Sequence, residues 1–240
     1  MKRILLFCLI LFLLCGCEKR QDKLIMVTEA SFAPFEYYSD GEIVGVDVDI
    51  AREIASRVGK KLVVKDVAFD SIITEIKFGK SDIGIAGISY TDERAKQVSF
   101  SDSYIVSKQV VLVRKNSNFN DIKNITCDKV AVQLGSIADS YVSEEFSNSK
   151  IIRQKKYLAA IEDLKDTKVD CVVMDELPAR EIINENTELK ILNGALAEDS
   201  YGIIVNKENI ELLKVINDVI NDLKKEGKID EYILYHSKKQ

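Results

Sequence analysis

The sequence predicts an α/β protein made of two lobes. Short β-branched apolar runs alternate with amphipathic stretches of helical period along most of the chain. This alternation runs as β-α-β-α-β from residue 24 and starts again near residue 130. Parallel strands joined by helical crossovers are the expected arrangement for each series. Because 240 residues can fill two small domains, we expect one lobe from each series.

The first series contains two helices with recognisable ends. Asp47 is the expected N-cap of the first helix and Gly59 its stop, with apolar residues on one face between them. Asp70 is the expected cap of the second helix, which ends at Gly79. Residues 30–45 contain a proline and an Asp-Gly pair and are predicted to form a loop. Apolar runs predict strands at 24–28, 62–67, 82–86 and 108–113.

The second series shows similar signals at its helix ends. Gly135-Ser136 opens a helix, and Pro178 lies in the first turn of another, where its missing N–H is harmless. Gly227 ends a long amphipathic helix over 208–226, and a short helix follows it. The remaining predicted elements are a helix over 157–164 and strands at 130–133, 151–153, 169–174, 189–192 and 201–205.

Residues 86–94, which follow a predicted strand, form a candidate binding site. Ligands of open α/β sheets bind beyond the carboxyl ends of the strands, so two facing sheet edges would form a cleft. Small residues in this segment allow close approach of the backbone to a ligand. Arg94 and Ser89 can hold a carboxylate through a planar fork and a hydroxyl. Taken alone, however, the segment fits a helix capped by Thr91 with a surface arginine better.

The N-terminus is typical of an export signal. A basic start precedes an apolar run over 4–14 that is too short to span a bilayer. The run ends in Leu-Cys-Gly-Cys, which resembles a bacterial lipoprotein processing box and implies a lipid on Cys17. We therefore expect residues 1–16 to be a signal peptide and residues 17–23 a lipidated tether. An uncleaved N-terminal anchor helix is the alternative.

Charge and cysteine content exclude several classes of function. The formal charge is −5, and removal of the two basic residues of the leader makes it −7, which argues against a nucleic-acid partner. No cofactor or metal is expected, because no CxxC or GxxxxGK[ST] occurs and the single histidine, His236, lies in a solvated tail. Cys127 and Cys171 remain after export. Buried free thiols are favoured there, and a disulfide between neighbouring strands is the alternative.

Four segments, taken together, resemble one family of proteins. They are residues 30–37, 45–50, 86–94 and 100–104. Their order and spacing are similar to those of the polar amino-acid-binding proteins of bacterial ABC importers, the solute-binding proteins of family 3. Tyr201-Gly202-Ile203 and the helices after it resemble the end of the same pattern.

The resemblance implies a periplasmic-binding-protein type II fold, with two Rossmann-like lobes joined by a two-strand hinge. Lobe one would comprise residues 24–106 and 200–240, and lobe two residues 107–199. The chain would cross between the lobes near residues 105–106 and 200–201. Closure of such a hinge around a small ligand is an established transition.

The resemblance also implies how the constant part of an amino acid is held. The α-carboxylate would lie on Arg94, and a helix N-terminus suits such an anion independently of any resemblance. The α-ammonium would lie on Asp175, which could instead cap the helix after it. Around these two charges the resemblance places hydroxyl and backbone contacts at Ala86, Gly87, Ser89, Ser136 and Ile137.

Other matched positions surround the ligand's side chain. Phe32 and Phe69 match rings that sandwich it, although aromatic residues after a strand are more often core. Glu29 and Gln133 match positions that face its far end. A carboxylate in a desolvated cleft needs a partner, which an arginine or lysine side chain would supply. Relatives that bind glutamine also carry an acid here, and residues 136–137 lack two threonines of the family pattern, so the ligand class stays open.

The favoured function is an extracytoplasmic lipoprotein that binds a free polar amino acid, of the basic type, and hands it to an ABC permease. It would act as a monomer, anchored to a membrane and facing the periplasm or the cell exterior. One alternative is a cyclohexadienyl or arogenate dehydratase on the same scaffold, with Asp175 or Glu29 as the acid. Another is a ligand-sensing lipoprotein. The pairing of Arg94 with Asp175 suits a zwitterion and therefore favours binding.

Overall fold

The computed structural model describes residues 22–122 and 125–238, so the predicted signal peptide and Cys17 lie outside the described residues. The strands are β1 (Lys23–Thr28), β2 (Ser31–Phe32), β3 (Glu36–Ser39), β4 (Glu42–Val44), β5 (Lys61–Asp66), β6 (Ile83–Gly84), β7 (Ser99–Phe100), β8 (Ile105–Arg114), β9 (Lys129–Gln133), β10 (Lys150–Gln154), β11 (Cys171–Asp175), β12 (Leu189–Ile191), β13 (Ala197–Tyr201) and β14 (Ile204–Val205). The helices are α1 (Val46–Arg57), α2 (Ile72–Lys77), α3 (Asp92–Ala95), α4 (Ile137–Glu145), α5 (Tyr157–Lys165), α6 (Glu176–Glu185), α7 (Ile210–Lys225) and α8 (Lys228–Lys238).

The first of two main sheets has the strand order β5-β1-β6-β14-β7. β1 pairs in parallel with both β5 and β6, as the helical crossovers predict. β14 comes from the C-terminal part of the chain and pairs antiparallel with β6. We call the part of the chain around this sheet lobe one.

The second sheet has the strand order β10-β9-β11-β8-β12, and β13 also pairs with β8. β9 is parallel to β10 and β11, whereas β8 runs antiparallel to β11, β12 and β13. We call the part of the chain around this sheet lobe two. The protein therefore has the mixed α/β, two-lobed fold that the sequence predicts.

The chain passes between the two sheets along β8 and β13. These strands pair antiparallel, with Ile105 opposite Tyr201. The single strand predicted over 201–205 is wrong, because β13 belongs to the second sheet and β14 to the first. Between them the Gly202 N–H donates to the Ile88 carbonyl, so the backbone leaves one sheet before it enters the other.

The stretch predicted as a loop, residues 30–45, contains the small sheet β2-β3-β4. Asp40 and Gly41 both have positive φ, 51° and 83°, which is the geometry of a two-residue hairpin turn. Their turn places Ser39 opposite Glu42. The Asp-Gly pair predicts this turn correctly, but the strands on either side are too short and too polar to be visible as apolar runs.

Two predicted helix caps are wrong. α1 begins after Gly45, whose φ is 135° and where a Cβ atom would lie 2.0 Å from the Phe35 carbonyl oxygen, so only glycine fits. Asp47 lies inside the first turn and is fully buried. Asp70 lies in a 3₁₀ turn, and Ser71 occupies the cap position of α2.

Two expectations about single residues are also wrong. Cys127 and Cys171, for which free thiols were favoured, form a disulfide, because the pairing of β9 with β11 brings them together. His236 is 3% exposed rather than solvated. Its Nε2 is 2.7 Å from Asp49 Oδ2 and its Nδ1 is 3.1 Å from the Tyr37 hydroxyl, since α8 folds back onto α1.

Helices α1 and α7 pack together against lobe one. Their apolar faces, including Ile50, Ile54, Ile216 and Ile220, are fully buried in one cluster, which accounts for the amphipathic pattern of both sequences. Across residues 22–122 and 125–238, no helix combines the length and apolar character needed to cross a bilayer.

Candidate functional site

A small cavity, of about 10 Å³, lies where the carboxyl ends of strands from both sheets meet. Side chains that follow β1 and β6 line it from lobe one, and those that end or follow β9 and β11 line it from lobe two. Glu36 and Tyr157, which the sequence does not predict, also line it. The structure brings all of the predicted site residues to this cavity: Glu29, Phe32, Phe69, Ala86, Gly87, Ser89, Arg94, Gln133, Ser136, Ile137 and Asp175.

Arg94 is buried beside the cavity, so the interpretation as a surface arginine is wrong. Its Nη1 donates to the Ser89 carbonyl at 2.6 Å and its Nη2 to the Gly135 carbonyl at 2.8 Å, which ties it to both lobes. Thr91 caps α3 as predicted, accepting a bond from the Arg94 N–H. Burial lowers the pKa of Arg94 and neighbouring carboxyl groups oppose this, but a guanidinium stays charged. Of its five N–H donors, three take part in neither of these two bonds.

Asp175 ends β11 with one carboxyl oxygen fully occupied. Its Oδ1 accepts bonds from the Ser107 hydroxyl at 2.8 Å, Gln109 Nε2 at 2.8 Å and the Tyr201 hydroxyl at 2.5 Å. The side chain makes no capping bond to α6, so the capping alternative is wrong. Burial and the neighbouring Asp199 raise the pKa of Asp175 to about 7. Its Oδ2 takes part in none of these bonds and can accept from a bound cation.

Asp199 of β13 is a second carboxyl group that shares a partner with Asp175. Gln109 Nε2 is 3.3 Å from Asp199 Oδ2, and the Ser89 hydroxyl donates to the same oxygen at 2.6 Å. Burial raises the pKa of Asp199. Because the Ser89 proton is directed at Asp199, the Ser89 oxygen can accept from an ammonium group but not donate to a carboxylate. Sequence patterns miss Asp199, although it lies two residues before buried Tyr201 on the same side of a strand.

Gly87 is positioned by a buried acid beneath it. Asp47 Oδ2 accepts bonds from the Gly87 N–H at 3.1 Å and the Tyr104 hydroxyl at 3.0 Å. The φ of Gly87 is 54°, and a Cβ atom there would lie 2.8 Å from the Phe32 ring. Burial raises the pKa of Asp47 to about 6 and raises the pKa of adjacent Glu36 well above its ordinary value. This acid pair therefore holds a proton at a pH where exposed carboxyl groups have lost theirs.

Helix α4 begins beside the cavity. The helix opens after Gly135-Ser136 as predicted, and Ser136 caps it, because its hydroxyl accepts a bond from the Asp139 N–H at 3.1 Å. The Ser136 N–H itself donates to the Gln133 carbonyl at 3.2 Å. Ile137 is the first residue of the helix, so its N–H lies outside the helical ladder and is available to donate to an anion.

Two aromatic contacts shape the cavity wall. The Phe32 and Tyr157 ring centroids are 5.5 Å apart with an interplanar angle of 21°, which stacks lobe one on lobe two. The Phe69 ring lies 5.7 Å from the Arg94 guanidinium carbon. Phe32 and Phe69 thus both line the cavity, but the ring stacked on Phe32 is Tyr157, which sequence patterns assign only to the start of a helix.

Glu29 also lines the cavity and is 1% exposed, and we call the part of the cavity around Glu29 the distal end. The Ser31 hydroxyl is 2.8 Å and 2.7 Å from its two oxygens, and Gln133 Nε2 donates to Oε2 at 3.1 Å. Lys156 Nζ, which the sequence does not predict, is 3.2 Å from Oε1. Burial raises the pKa of Glu29, although these three partners oppose the shift.

The sequence pattern of the bacterial extracellular solute-binding proteins, family 3, matches residues 24–236. The chain belongs to this family. The resemblance drawn from four short segments is therefore confirmed along almost the whole chain.

Individual relatives of this solute-binding protein cover it nearly end to end. The arginine-binding extracellular protein ArtP of Bacillus subtilis is 30% identical over 220 residues, 90% of this chain and 86% of ArtP. The glutamine-binding ABC transporter protein GlnH of the same organism is 29% identical over 219 residues, 89% of this chain and 80% of GlnH. The structure of AbpA from Streptococcus pneumoniae, an amino acid ABC transporter substrate-binding protein bound to L-arginine, superposes with a TM-score of 0.87 at 32% identity and covers 91% of this chain and 95% of AbpA.

These similarities define the class of protein. The relatives are substrate-binding proteins of transporters, so this solute-binding protein binds an amino acid for an ABC transporter and is not an enzyme. The dehydratase alternative is therefore dropped.

The cavity of this solute-binding protein is rich in acids. Among residues 22–122 and 125–238, no cluster of His, Cys, Asp or Glu has the make-up of a metal site. Arg94 lines the cavity and Lys156 pairs with the lining residue Glu29, so two basic side chains are set against a larger number of carboxyl groups. Glu29, Glu36 and Asp175 line the cavity, whereas Asp47 and Asp199 do not line it but bond to the lining residues Gly87 and Ser89. Burial is the largest cause that raises the pKa of each of these five carboxyl groups.

Proposed function

We propose that this solute-binding protein captures a free amino acid with a positively charged side chain, of the arginine or lysine type, and delivers it to the permease of an ABC importer. The observation that carries the proposal is the placement of buried Arg94 and buried Asp175 on one cavity. An amino acid presents an anionic and a cationic group close together, and a guanidinium fork and a carboxylate oxygen complement them. Ile137 N–H and the Ser89 oxygen add one donor and one acceptor.

The excess of acid supports a cationic side chain. Buried carboxyl groups are destabilised unless a positive charge compensates them. Glu29 lines the same cavity as Phe32 and Tyr157, and we expect the side chain of a long amino acid to extend toward it. The relative ArtP and the ligand of AbpA point to arginine, whereas the name of GlnH makes glutamine the principal competitor.

Closure of the two lobes would supply part of the affinity. We propose that residues 24–106 and 200–240 move as lobe one and residues 107–199 as lobe two, with β8 and β13 as the hinge. The Arg94 bond to Gly135 crosses between the lobes, so the residue expected to hold the carboxylate would also sense closure.

Lipid attachment at Cys17 would hold the protein on a membrane, with residues 17–23 as the tether. The protein would face the periplasm or the cell exterior and would act as a monomer. The test is expression of the full chain and of Cys17→Ala, followed by mass measurement and membrane fractionation. A lipid-sized mass increase and membrane recovery should both disappear in the variant. Equal masses and equal recovery would refute the anchor.

The proposed ligand is tested by thermal shift of residues 18–240 against the twenty amino acids, ornithine and citrulline. A ligand that binds the folded state raises the melting temperature by mass action. We expect the largest rise with arginine or lysine. A rise with glutamine alone would keep the transport role but reject the cationic ligand, and no rise with any amino acid would overturn the proposal.

A further inference from the structure

Lys156 connects the two lobes at the distal end of the cavity. It directly precedes α5 in lobe two, whereas its two partners, Glu29 and Asp66, follow or end strands of lobe one. Its Nζ is 3.2 Å from Glu29 Oε1 and 3.3 Å from Asp66 Oδ2. Burial acts to lower the pKa of Lys156, but the two carboxylates outweigh it and the pKa is raised. The lysine is therefore a cation directed at the carboxylate that we expect to recognise the ligand.

Glu29 is thus compensated by the protein itself. Lys156, Ser31 and Gln133 already supply it with a positive charge and hydrogen bonds. The Glu29 side chain is 2% exposed, whereas the Lys156 side chain is 44% exposed. The carboxylate is therefore fixed, while the lysine approaches from a more open position and can withdraw into solvent.

A buried carboxylate that already has a counter-ion selects among ligands differently from one that has none. Without a counter-ion, buried Glu29 would strongly prefer a cationic side chain, because a neutral one would leave the charge unpaired. With Lys156 in place, a neutral polar side chain meets a pair that is already close to neutral. A cationic side chain can share Glu29 with the lysine or displace it.

We propose, on the basis of the function proposed above, that Lys156 sets the charge selectivity of the distal end by acting as an internal counter-ion to Glu29. It allows neutral polar side chains, such as those of citrulline or glutamine, to bind alongside cationic ones. Lys156 is in this sense a specificity-determining residue, and its contact with Asp66 keeps it close to the cleft when no cationic side chain is bound.

A purely mechanical role is the competing explanation. A lysine that only latched the lobes together would stabilise closure around every ligand to the same extent. The ratio of two affinities separates the explanations, because a latch changes both affinities by one factor and a counter-ion changes their ratio.

The experiment measures the Kd of arginine and of citrulline by calorimetry for the wild-type protein and for Lys156→Met. The two ligands have nearly the same shape and differ in the charge at the end of the side chain. We expect the preference for arginine over citrulline to rise at least tenfold in Lys156→Met, mostly through weaker citrulline binding. If both affinities change by one factor, or the preference falls, the proposal is wrong.

Two matched variants serve as controls. Lys155→Met removes the same charge from the adjacent, exposed lysine and should leave the ratio unchanged. Lys156→Arg keeps the counter-ion and should retain the wild-type ratio, and Lys156→Gln repeats the test if the methionine variant melts early. Equal shifts in Lys155→Met and Lys156→Met would refute the proposal. A wild-type protein that binds no amino acid would instead overturn the proposed function, and this proposal with it.

Discussion

The two ends of the cleft hold charge in different ways. Near Arg94 and Asp175, each charged group is buried and is held by backbone carbonyls or by neutral side-chain donors. Near Glu29, the buried carboxylate is held partly by Lys156, a charged side chain that is 44% exposed. Neutral donors orient a charge without cancelling it, whereas a lysine cancels it and can leave. The first end therefore suits the constant part of every amino acid, and the distal end suits the part that varies.

This difference predicts that substitutions at the first end affect all amino acids, whereas those at the distal end change the choice among them. Donors fixed before binding lower the conformational entropy that the protein loses when a ligand binds, so the first end should contribute most of the affinity.

The largest effect is expected for Arg94→Ala. Removing one partner of a buried, hydrogen-bonded charge pair typically costs about 2–5 kcal/mol, which corresponds to a loss of affinity of roughly 30-fold to several thousand-fold. Calorimetry with any amino acid that binds the wild-type protein should show it. The loss should be similar for cationic and neutral amino acids, and a loss confined to one class would contradict the division between the two ends. Melting without ligand controls for the fold, since Arg94 also bonds to Gly135.

Asp175→Asn should cause the next largest effect. The amide keeps the shape but loses the charge that we propose faces the α-ammonium, and hydrogen bonds to charged groups contribute about 1.5–3 kcal/mol, or roughly ten- to 100-fold. A ligand that lacks the α-amino group, such as 5-guanidinopentanoate, should bind the wild-type and the variant almost equally. If the substitution weakens binding of this analogue as much as it weakens binding of arginine, Asp175 does not interact with the α-ammonium.

Binding should also depend on pH through Asp175. Its pKa is raised to about 7, so the free protein carries the proton below that pH, and the proton must leave before an ammonium can bind. The affinity is thus expected to fall as the pH drops below about 7, by up to about tenfold per pH unit. Calorimetry at pH 6 in buffers of different ionisation enthalpy should detect proton release, and Asp175→Asn should reduce it. An affinity that stays constant between pH 8 and 5.5 would show that Asp175 does not have to lose a proton when the ligand binds.

Asp199→Asn should have a smaller effect at the same end. Asp199 does not line the cavity but directs the Ser89 proton away from it, so the Ser89 oxygen can accept. Loss of the Asp199 charge should weaken the binding of amino acids by about three- to tenfold, in line with a single neutral hydrogen bond of about 1 kcal/mol. The double variant with Ser89→Ala should be no weaker than Ser89→Ala alone. Additive losses would show that Asp199 acts independently of Ser89.

Glu29→Gln should change affinity least for neutral ligands. The affinity for arginine should fall by roughly threefold to tenfold, because Lys156 already compensates part of the Glu29 charge. The affinity for citrulline should change by less than that for arginine. A large and equal loss of affinity for arginine and citrulline would show that Glu29 acts like the residues near Arg94 and Asp175, and would contradict the difference between the two ends.

Sequence patterns alone determined much of the local structure. The alternation of apolar runs and amphipathic helices predicts the two βαβ series, because periods of 2 and 3.6 residues reflect contacts between near neighbours. The Thr91 and Ser136 caps follow from local hydrogen bonds. Four short segments were sufficient to indicate the family, and the predicted site residues all line one cavity.

Only the tertiary structure decided which distant groups meet. Asp199 lies 24 positions after Asp175 and Lys156 lies 127 positions after Glu29, so no local period connects them. The disulfide between Cys127 and Cys171 depends on which strands become neighbours, and the split between β13 and β14 depends on which sheet each one joins. Hydrogen bonds and charges act over a few ångströms in space, whatever the separation along the chain. The electrostatics of the cleft therefore depend on the tertiary structure.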